Sequence, residues 1–161
     1  MTSSTTAVPL TSLYAPVSGI ILELEKVNDV IFSEKLVGVG IAVCPDEGEC
    51  NIRAPADGTI VNILPGNHAF FMKTDQNIEL LVHYGLNTVS LNGDGFTRVA
   101  GPGQRVRRGD VILQVDPERL KKKGISTVTP VIIMSPEHYS YTMQVGKVCA
   151  GVDPIIYVRT L

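Results

Sequence analysis

Gly66-Asn67-His68-Ala69-Phe70-Phe71-Met72-Lys73-Thr74-Asp75-Gln76-Asn77-Ile78-Glu79-Leu80-Leu81-Val82-His83-Tyr84-Gly85 is the stretch whose reading decides both fold and site. Two apolar-rich runs, His68 to Lys73 and Ile78 to Tyr84, flank the polar cluster Thr74-Asp75-Gln76-Asn77. Such runs around turn residues read as two strands of a β-hairpin. With Asp75 and Gln76 as a two-residue loop, Met72 faces Glu79, Phe70 faces Leu81 and His68 faces His83. Directly opposed side chains have Cβ atoms roughly 4.5–5.5 Å apart, so two imidazoles would converge on one tetrahedral group. The same register puts Ala69, Phe71, Leu80 and Val82 on one face, expected to fill the core. His68, Phe70, Leu81 and His83 fall on the other, expected to form an apolar contact patch for a protein.

The pattern continues outward from this hairpin. Gly19 to Leu24, Gly40 to Cys44, Gly58 to Leu64, Val111 to Asp116 and Val128 to Met134 are short β-rich runs broken by Gly, Pro, Asp and Asn. Many short strands with frequent turns predict an all-β sandwich or barrel. One segment reads as a short helix: Asp116 as cap, Pro117 at the first helical position, then Glu118 to Lys123 before Gly124. A second helical turn is expected near Asn28 to Glu34. Tyr14-Ala15-Pro16-Val17-Ser18-Gly19-Ile20-Ile21 resembles Arg53-Ala54-Pro55-Ala56-Asp57-Gly58-Thr59-Ile60, which suggests a duplicated strand–turn–strand unit. Residues 1–12 read as a flexible polar tail and residues 13–161 as a single domain.

The 161 residues are 44% hydrophobic and 19% charged, a globular balance with room for a core. A net charge of −2 and no basic stripe interleaved with aromatics argue against nucleic acid as a partner. Apolar stretches run only a few residues, and Met1-Thr2-Ser3-Ser4-Thr5-Thr6 lacks the basic and apolar parts of an export signal, so a cytoplasmic location is expected. Cys44, Cys50 and Cys149 are expected as free thiols, with a Cys44–Cys50 hairpin disulfide as the alternative.

Histidine serves as a nucleophile when neutral, and its ordinary pKa of about 6.5 makes that form available near neutrality. Phosphoryl transfer depends mainly on in-line positioning and charge stabilisation. One imidazole can accept the group while the other donates a hydrogen bond to its oxygens, with backbone N–H groups near Gly85 in reach. His138 has no such companion and is read as a surface residue.

The linked motifs Ala15-Pro16-Val17-Ser18-Gly19, Val30-Ile31-Phe32-Ser33-Glu34-Lys35-Leu36-Val37-Gly38, Ala54-Pro55-Ala56-Asp57-Gly58-Thr59-Ile60, Asn67-His68-Ala69-Phe70, Val82-His83-Tyr84-Gly85-Leu86-Asn87-Thr88-Val89, Gly93-Asp94-Gly95-Phe96 and Gly103-Gln104-Arg105-Val106 carry a family likeness, continued by Thr127-Val128-Thr129-Pro130-Val131. Over roughly residues 13–160 the chain resembles the glucose-family IIA component of the bacterial phosphoenolpyruvate-dependent sugar phosphotransferase system. The resemblance implies a β-sandwich of duplicated hybrid-motif type and a phosphotransferase component working through phosphohistidine. It implies His83 as the phosphorylated residue, through Nε2, and His68 as its support. The donor would be the histidine phosphocarrier protein HPr. The acceptor would be a cysteine of a IIB domain, with only indirect membrane association through the IIBC permease. Phe32, Val37 and Val89 match the family's apolar contact surface, and Asp29 matches an acidic position at its rim. No cofactor is required, although two such histidines can take a zinc completed by a partner's carboxylate. Three positions depart from the pattern: Gly66 stands where enteric relatives often have threonine, Asn87 where an acid is usual, and Tyr84 where phenylalanine is common.

Two rival chemistries draw on the same residues. A zinc hydrolase usually needs three protein ligands, and the sequence offers no H-x-H or local third ligand beside His68 and His83. A biotinyl or lipoyl carrier would present Lys73 in a Met-Lys-Met setting, whereas Thr74 follows it here.

Overall fold

The computed structural model describes residues 10–161. Its elements, in chain order, are β1 (Thr11–Tyr14), β2 (Gly19–Glu23), α1 (Val30–Ser33), β3 (Val39–Pro45), β4 (Asn51–Arg53), β5 (Gly58–Ile63), β6 (Ala69–Thr74) and β7 (Glu79–His83). They continue with β8 (Phe96–Arg98), β9 (Arg105–Val106), β10 (Val111–Val115), α2 (Pro117–Lys122), β11 (Thr129–Ile133), β12 (Tyr139–Met143), β13 (Lys147–Val148) and β14 (Pro154–Thr160). One sheet runs β13-β2-β3-β11-β7-β6-β5-β9, and two smaller ones run β1-β14-β12 and β4-β10-β8. Every pairing is antiparallel. The main core draws on all three sheets, with Leu13, Ile52, Ile60, Phe70, Leu80, Ile112, Val131 and Ile156 fully or almost fully buried. This is the β-sandwich expected from the strand pattern. Each large apolar side chain sealed there contributes about 1.5–3 kcal/mol of transfer free energy.

The internal repeat is a structural duplication. Tyr14 N–H donates to the Pro55 carbonyl and Arg53 N–H to the Pro16 carbonyl, at 2.8 and 2.9 Å, so the two copies bind each other reciprocally. Ala15 exchanges bonds with Gly151 and Asp153 as Ala54 does with Gly109 and Asp110. Ser18 Oγ accepts from Ala150 N–H as Asp57 Oδ1 accepts from Arg108 N–H. Gly109 and Gly151, both at positive φ, lie against each other where the copies meet. A Cβ on Gly151 would stand 3.1 Å from the Gly109 Cα, a tight approach, and the positive φ at both positions favours glycine.

The central hairpin forms, but with another loop. Asn77 N–H donates to the Thr74 carbonyl, Thr74 N–H to the Ile78 carbonyl, and Ile78 N–H to Thr74 Oγ1. The loop is therefore the three residues Asp75-Gln76-Asn77, with Asn77 in the left-handed region at φ 65°. That extra residue shifts the register by one: Ala69 pairs with His83, Phe71 with Leu81 and Met72 with Leu80. Phe70 joins Met72, Leu80 and Val82 in the main core, while Ala69 and Leu81 belong to a second core on the opposite face, with Phe71 packed against it. The expectation that Ala69 and Phe71 share a face with Leu80 and Val82 is corrected accordingly.

The second core exists because the chain between β2 and β3 folds back over the outer sheet face. Leu24, Val27 and Phe32 from this excursion pack on Ala42, Ala69, Leu81 and Ile132. Its helical turn, α1, is capped by Asp29, whose Oδ1 accepts from Ile31 N–H at 3.0 Å. The helix expected after Asp116 is α2, with Pro117 in its first turn, but the Asp116 side chain makes no capping hydrogen bond. Ordered structure begins earlier than expected, since Thr11 and Ser12 already pair with Val158 and Tyr157. The rest of the tail expectation, residues 1–9, lies outside the described residues. All three cysteines are free thiols.

Candidate functional site

His83 ends β7 at the open mouth of the hairpin, and its half-buried ring is fixed by the turn that follows. His83 Nδ1 lies 2.8 Å from the Gly85 carbonyl oxygen. A carbonyl only accepts, so Nδ1 carries the proton and donates it, and Nε2 keeps a bare lone pair. Gly85 reaches this position at φ 79°, and a Cβ there would meet Ser126 and Thr88 at 2.6 Å. Thr88 braces the same turn by donating from Oγ1 to the Tyr84 carbonyl at 3.0 Å.

His68 sits one residue ahead of β6, after a turn in which Gly66 and Asn67 both have positive φ, and its carbonyl accepts from Tyr84 N–H at 2.8 Å. Its ring centroid is 5.0 Å from that of His83, in an edge-on arrangement. The Phe32 ring lies 5.3 Å from His83, and the Phe96 ring 6.2 Å from His68. His68 is 3% exposed, and its Nδ1 has no hydrogen-bond partner among the described residues. The two imidazoles are thus brought together, though not as a directly opposed pair: it is Ala69 that faces His83 across the ladder.

Burial first, and the neighbouring His83 second, push the His68 pKa down to about 4. Burial also lowers that of His83, partly offset by the Gly85 carbonyl and the Asp29 carboxylate, both of which favour the protonated ring. Both rings are therefore neutral at physiological pH.

Asp29, Phe32, Val37, Leu81 and Val89 line one shallow depression with His83, joined by Ile31, Asn87 and Thr88. The sequence reading found the first five. Ile31 and Thr88 escaped it because nothing in the composition of a short turn says which side chain faces the sheet. Phe70 does not belong: it is fully buried on the far face, a consequence of the shifted register. Phe32 and Leu81 are 5% exposed each, so they form the floor and not the rim. Val89 at 67% and Ile31 at 48% are the exposed apolar contacts. The Gly85 carbonyl, which sets the tautomer, was also missed, since a backbone acceptor leaves no mark in the sequence. Among the described residues no three His, Cys, Asp or Glu side chains cluster as metal ligands, so a zinc at His68 and His83, which the sequence reading allows without requiring, has no support from this chain's own side chains.

Residues 11–139 match the family model described as phosphoenolpyruvate-dependent sugar phosphotransferase system, EIIA 1. The chain is similar to the PTS system glucose-specific EIIA component of Haemophilus influenzae, 43% identical over 148 residues, covering 91% of this chain and 88% of the relative. It is 46% identical over 128 residues to the component of the same name from Borreliella burgdorferi, covering 80% and 67%. Among solved structures it resembles the glucose permease IIA from Mycoplasma capricolum, with a TM-score of 0.85 and 32% identity, over 92% of this chain and 96% of that one. Neither rival chemistry finds support in these matches, and the chain belongs to the EIIA 1 family of the phosphoenolpyruvate-dependent sugar phosphotransferase system, as a phosphocarrier.

Proposed function

We propose that Nε2 of His83 accepts a phosphoryl group from phosphorylated HPr and passes it to a cysteine of a IIB domain. The observation that carries this reading is the Nδ1–Gly85 hydrogen bond, which leaves Nε2 as the free nucleophile. In the first step the Nε2 lone pair forms a bond to phosphorus in line as the donor's P–N bond breaks, and the donor imidazole leaves with the electron pair. The Gly85 carbonyl offsets the positive charge that develops on the His83 ring. In the second step the IIB thiolate attacks phosphorus, the P–N bond breaks and Nε2 recovers its lone pair. His68, neutral and edge-on to His83, donates a hydrogen bond to the phosphoryl oxygens as the group moves.

Docking uses the exposed Val89 and Ile31 with Val37 around an apolar floor, and Asp29 supplies the negative charge that a basic partner surface recognises. Asn87 adds none, so charge steering rests on fewer groups here. No helix among the described residues is long and apolar enough to cross a membrane. We place the chain in the cytoplasm, meeting the membrane only through the permease. The relatives' names make glucose the first sugar to test.

The test is incubation with labelled phosphoenolpyruvate, enzyme I and HPr. The wild type takes up one acid-labile phosphoryl group per chain, and His83→Gln takes up none. Full labelling of His83→Gln would refute the assignment.

A further inference from the structure

The three sheets end in six edge strands, and five carry a device that discourages pairing with another chain. β9 and β13 are two residues long and carry Arg105 and Lys147. β4 and β8 are three residues long and carry Arg53 and Arg98. β1 is bulged between Leu13 and Tyr14. β12, Tyr139-Ser140-Tyr141-Thr142-Met143, has none of these: it is five residues long, uncharged and in unbroken register with β14 from Tyr139↔Thr160 to Met143↔Ile156.

The ladder fixes which backbone groups it leaves over. Leu161 N–H donates to the His138 carbonyl and Gln144 N–H to the Ile155 carbonyl, so even-numbered residues point their polar groups at β14. The odd-numbered residues then point theirs outward. Tyr139 N–H is taken by the Pro136 carbonyl. The N–H groups of Tyr141 and Met143, and the carbonyls of Tyr139, Tyr141 and Met143, face outward with no partner among the described residues. The side chains of Ser140, Tyr141 and Thr142 are exposed beside them.

We infer that β12 pairs with the β12 of a second copy of this chain, antiparallel about a two-fold axis at Tyr141. The sequence of the strand argues for self-pairing over a foreign segment. Centred on Tyr141, the register sets Tyr141 against its own counterpart and Ser140 against Thr142, which are aromatic–aromatic and Ser–Thr cross-strand pairs, and opposes no like charges. About four hydrogen bonds form, from the Tyr141 and Met143 N–H groups of each copy to the Tyr141 and Tyr139 carbonyls of the other. An interface this small gives a weak, concentration-dependent dimer.

The location leaves phosphotransfer free. Tyr139 Oη donates to the Asn77 carbonyl at 3.4 Å, which places β12 by the hairpin loop. The histidines lie at the opposite end of β6, about 20 Å away at strand spacing. Dimerisation therefore does not compete with docking at His83, and the inference stands independently of the phosphotransfer reading.

Sedimentation velocity on the full chain up to about 1 mM tests it. The wild type shifts toward the dimer as concentration rises. Tyr141→Pro, which removes an outward N–H and the Tyr141–Tyr141 ring pair but no bond of the β14 ladder, stays monomeric with an unchanged far-ultraviolet circular dichroism spectrum. Tyr141→Lys and Tyr141→Glu are each monomeric alone, because like charges oppose across the axis, and they associate when mixed. A wild type that remains monomeric at about 1 mM, or a dimer that Tyr141→Pro leaves intact, would overturn the proposal. So would Tyr141 and Met143 amide signals that move only when a IIB domain is added, which would assign the edge to that partner.

Discussion

At the scale of single residues, the site is built from two imidazoles held neutral by burial and aimed by backbone. His68→Gln should leave labelling of His83 nearly complete but slow onward transfer to IIB by about 10²-fold or more, the range seen when one donor to a developing charge is removed. Equal onward rates in rapid-quench experiments would deny His68 that role. Tyr84 is a different case. It is fully buried, its hydroxyl has no partner among the described residues, and burial together with Glu49 and Cys50 holds its pKa well above the usual value. Tyr84→Phe removes an unsatisfied polar group while keeping the ring against Phe96, so urea unfolding should show a gain of about 1 kcal/mol. A loss of that size would mean the hydroxyl has a partner. Both histidines were legible in the sequence, but the route to them was partly wrong. A two-residue loop predicted them as directly opposed. They meet instead as diagonal neighbours: Tyr84 N–H donates to the His68 carbonyl, so the ladder continues through His68, while Ala69 faces His83.

At the scale of elements, the deciding feature is the excursion between β2 and β3. Asp29 serves it twice, capping α1 through Ile31 N–H and holding a negative charge near His83. The two roles separate by substitution. Asp29→Asn keeps a good cap and removes the charge, so stability should hold while the His83 pKa falls further and affinity for HPr drops. Asp29→Ala should in addition lose about 1 kcal/mol in thermal or urea unfolding. Identical stability losses in the two variants would contradict the capping role. A helical turn was expected here from the sequence, yet its packing over Ala69 and Leu81 was not. Hydrophobic alternation cannot say that the outer face of a sheet is itself covered, and the one-residue slip in the hairpin register put Phe70 on the wrong face. The loop is similar: Asn77 is a natural left-handed residue, but Asp75-Gln76 alone closes a hairpin equally well on paper.

At the scale of the whole molecule, a duplicated unit makes the sandwich, and its repeat was readable in Tyr14–Ile21 and Arg53–Ile60. What the repeat could not reveal was that the copies bind each other through Pro16 and Pro55, because reciprocal backbone bonds carry no side-chain signature. The buried histidines also give the molecule a pH response. Folded His68 has a pKa of about 4 against an ordinary 6.5, so the unfolded chain binds more protons between these values. Stability should be level above pH 6.5 and fall as the pH drops toward 4, by on the order of 3 kcal/mol from this residue. His68→Gln should flatten that decline in urea titrations, and an unchanged slope would show the ring is not the cause.

The central claim is that the Gly85 carbonyl holds the proton on Nδ1 and so commits His83 to react through Nε2. The most direct measurement is long-range proton–nitrogen NMR on chain labelled at histidine, before and after phosphorylation by HPr. The claim predicts a free His83 protonated at Nδ1 and bare at Nε2, then phosphorus coupling at Nε2 of His83 alone. Phosphorus on Nδ1, or on either nitrogen of His68, would contradict it.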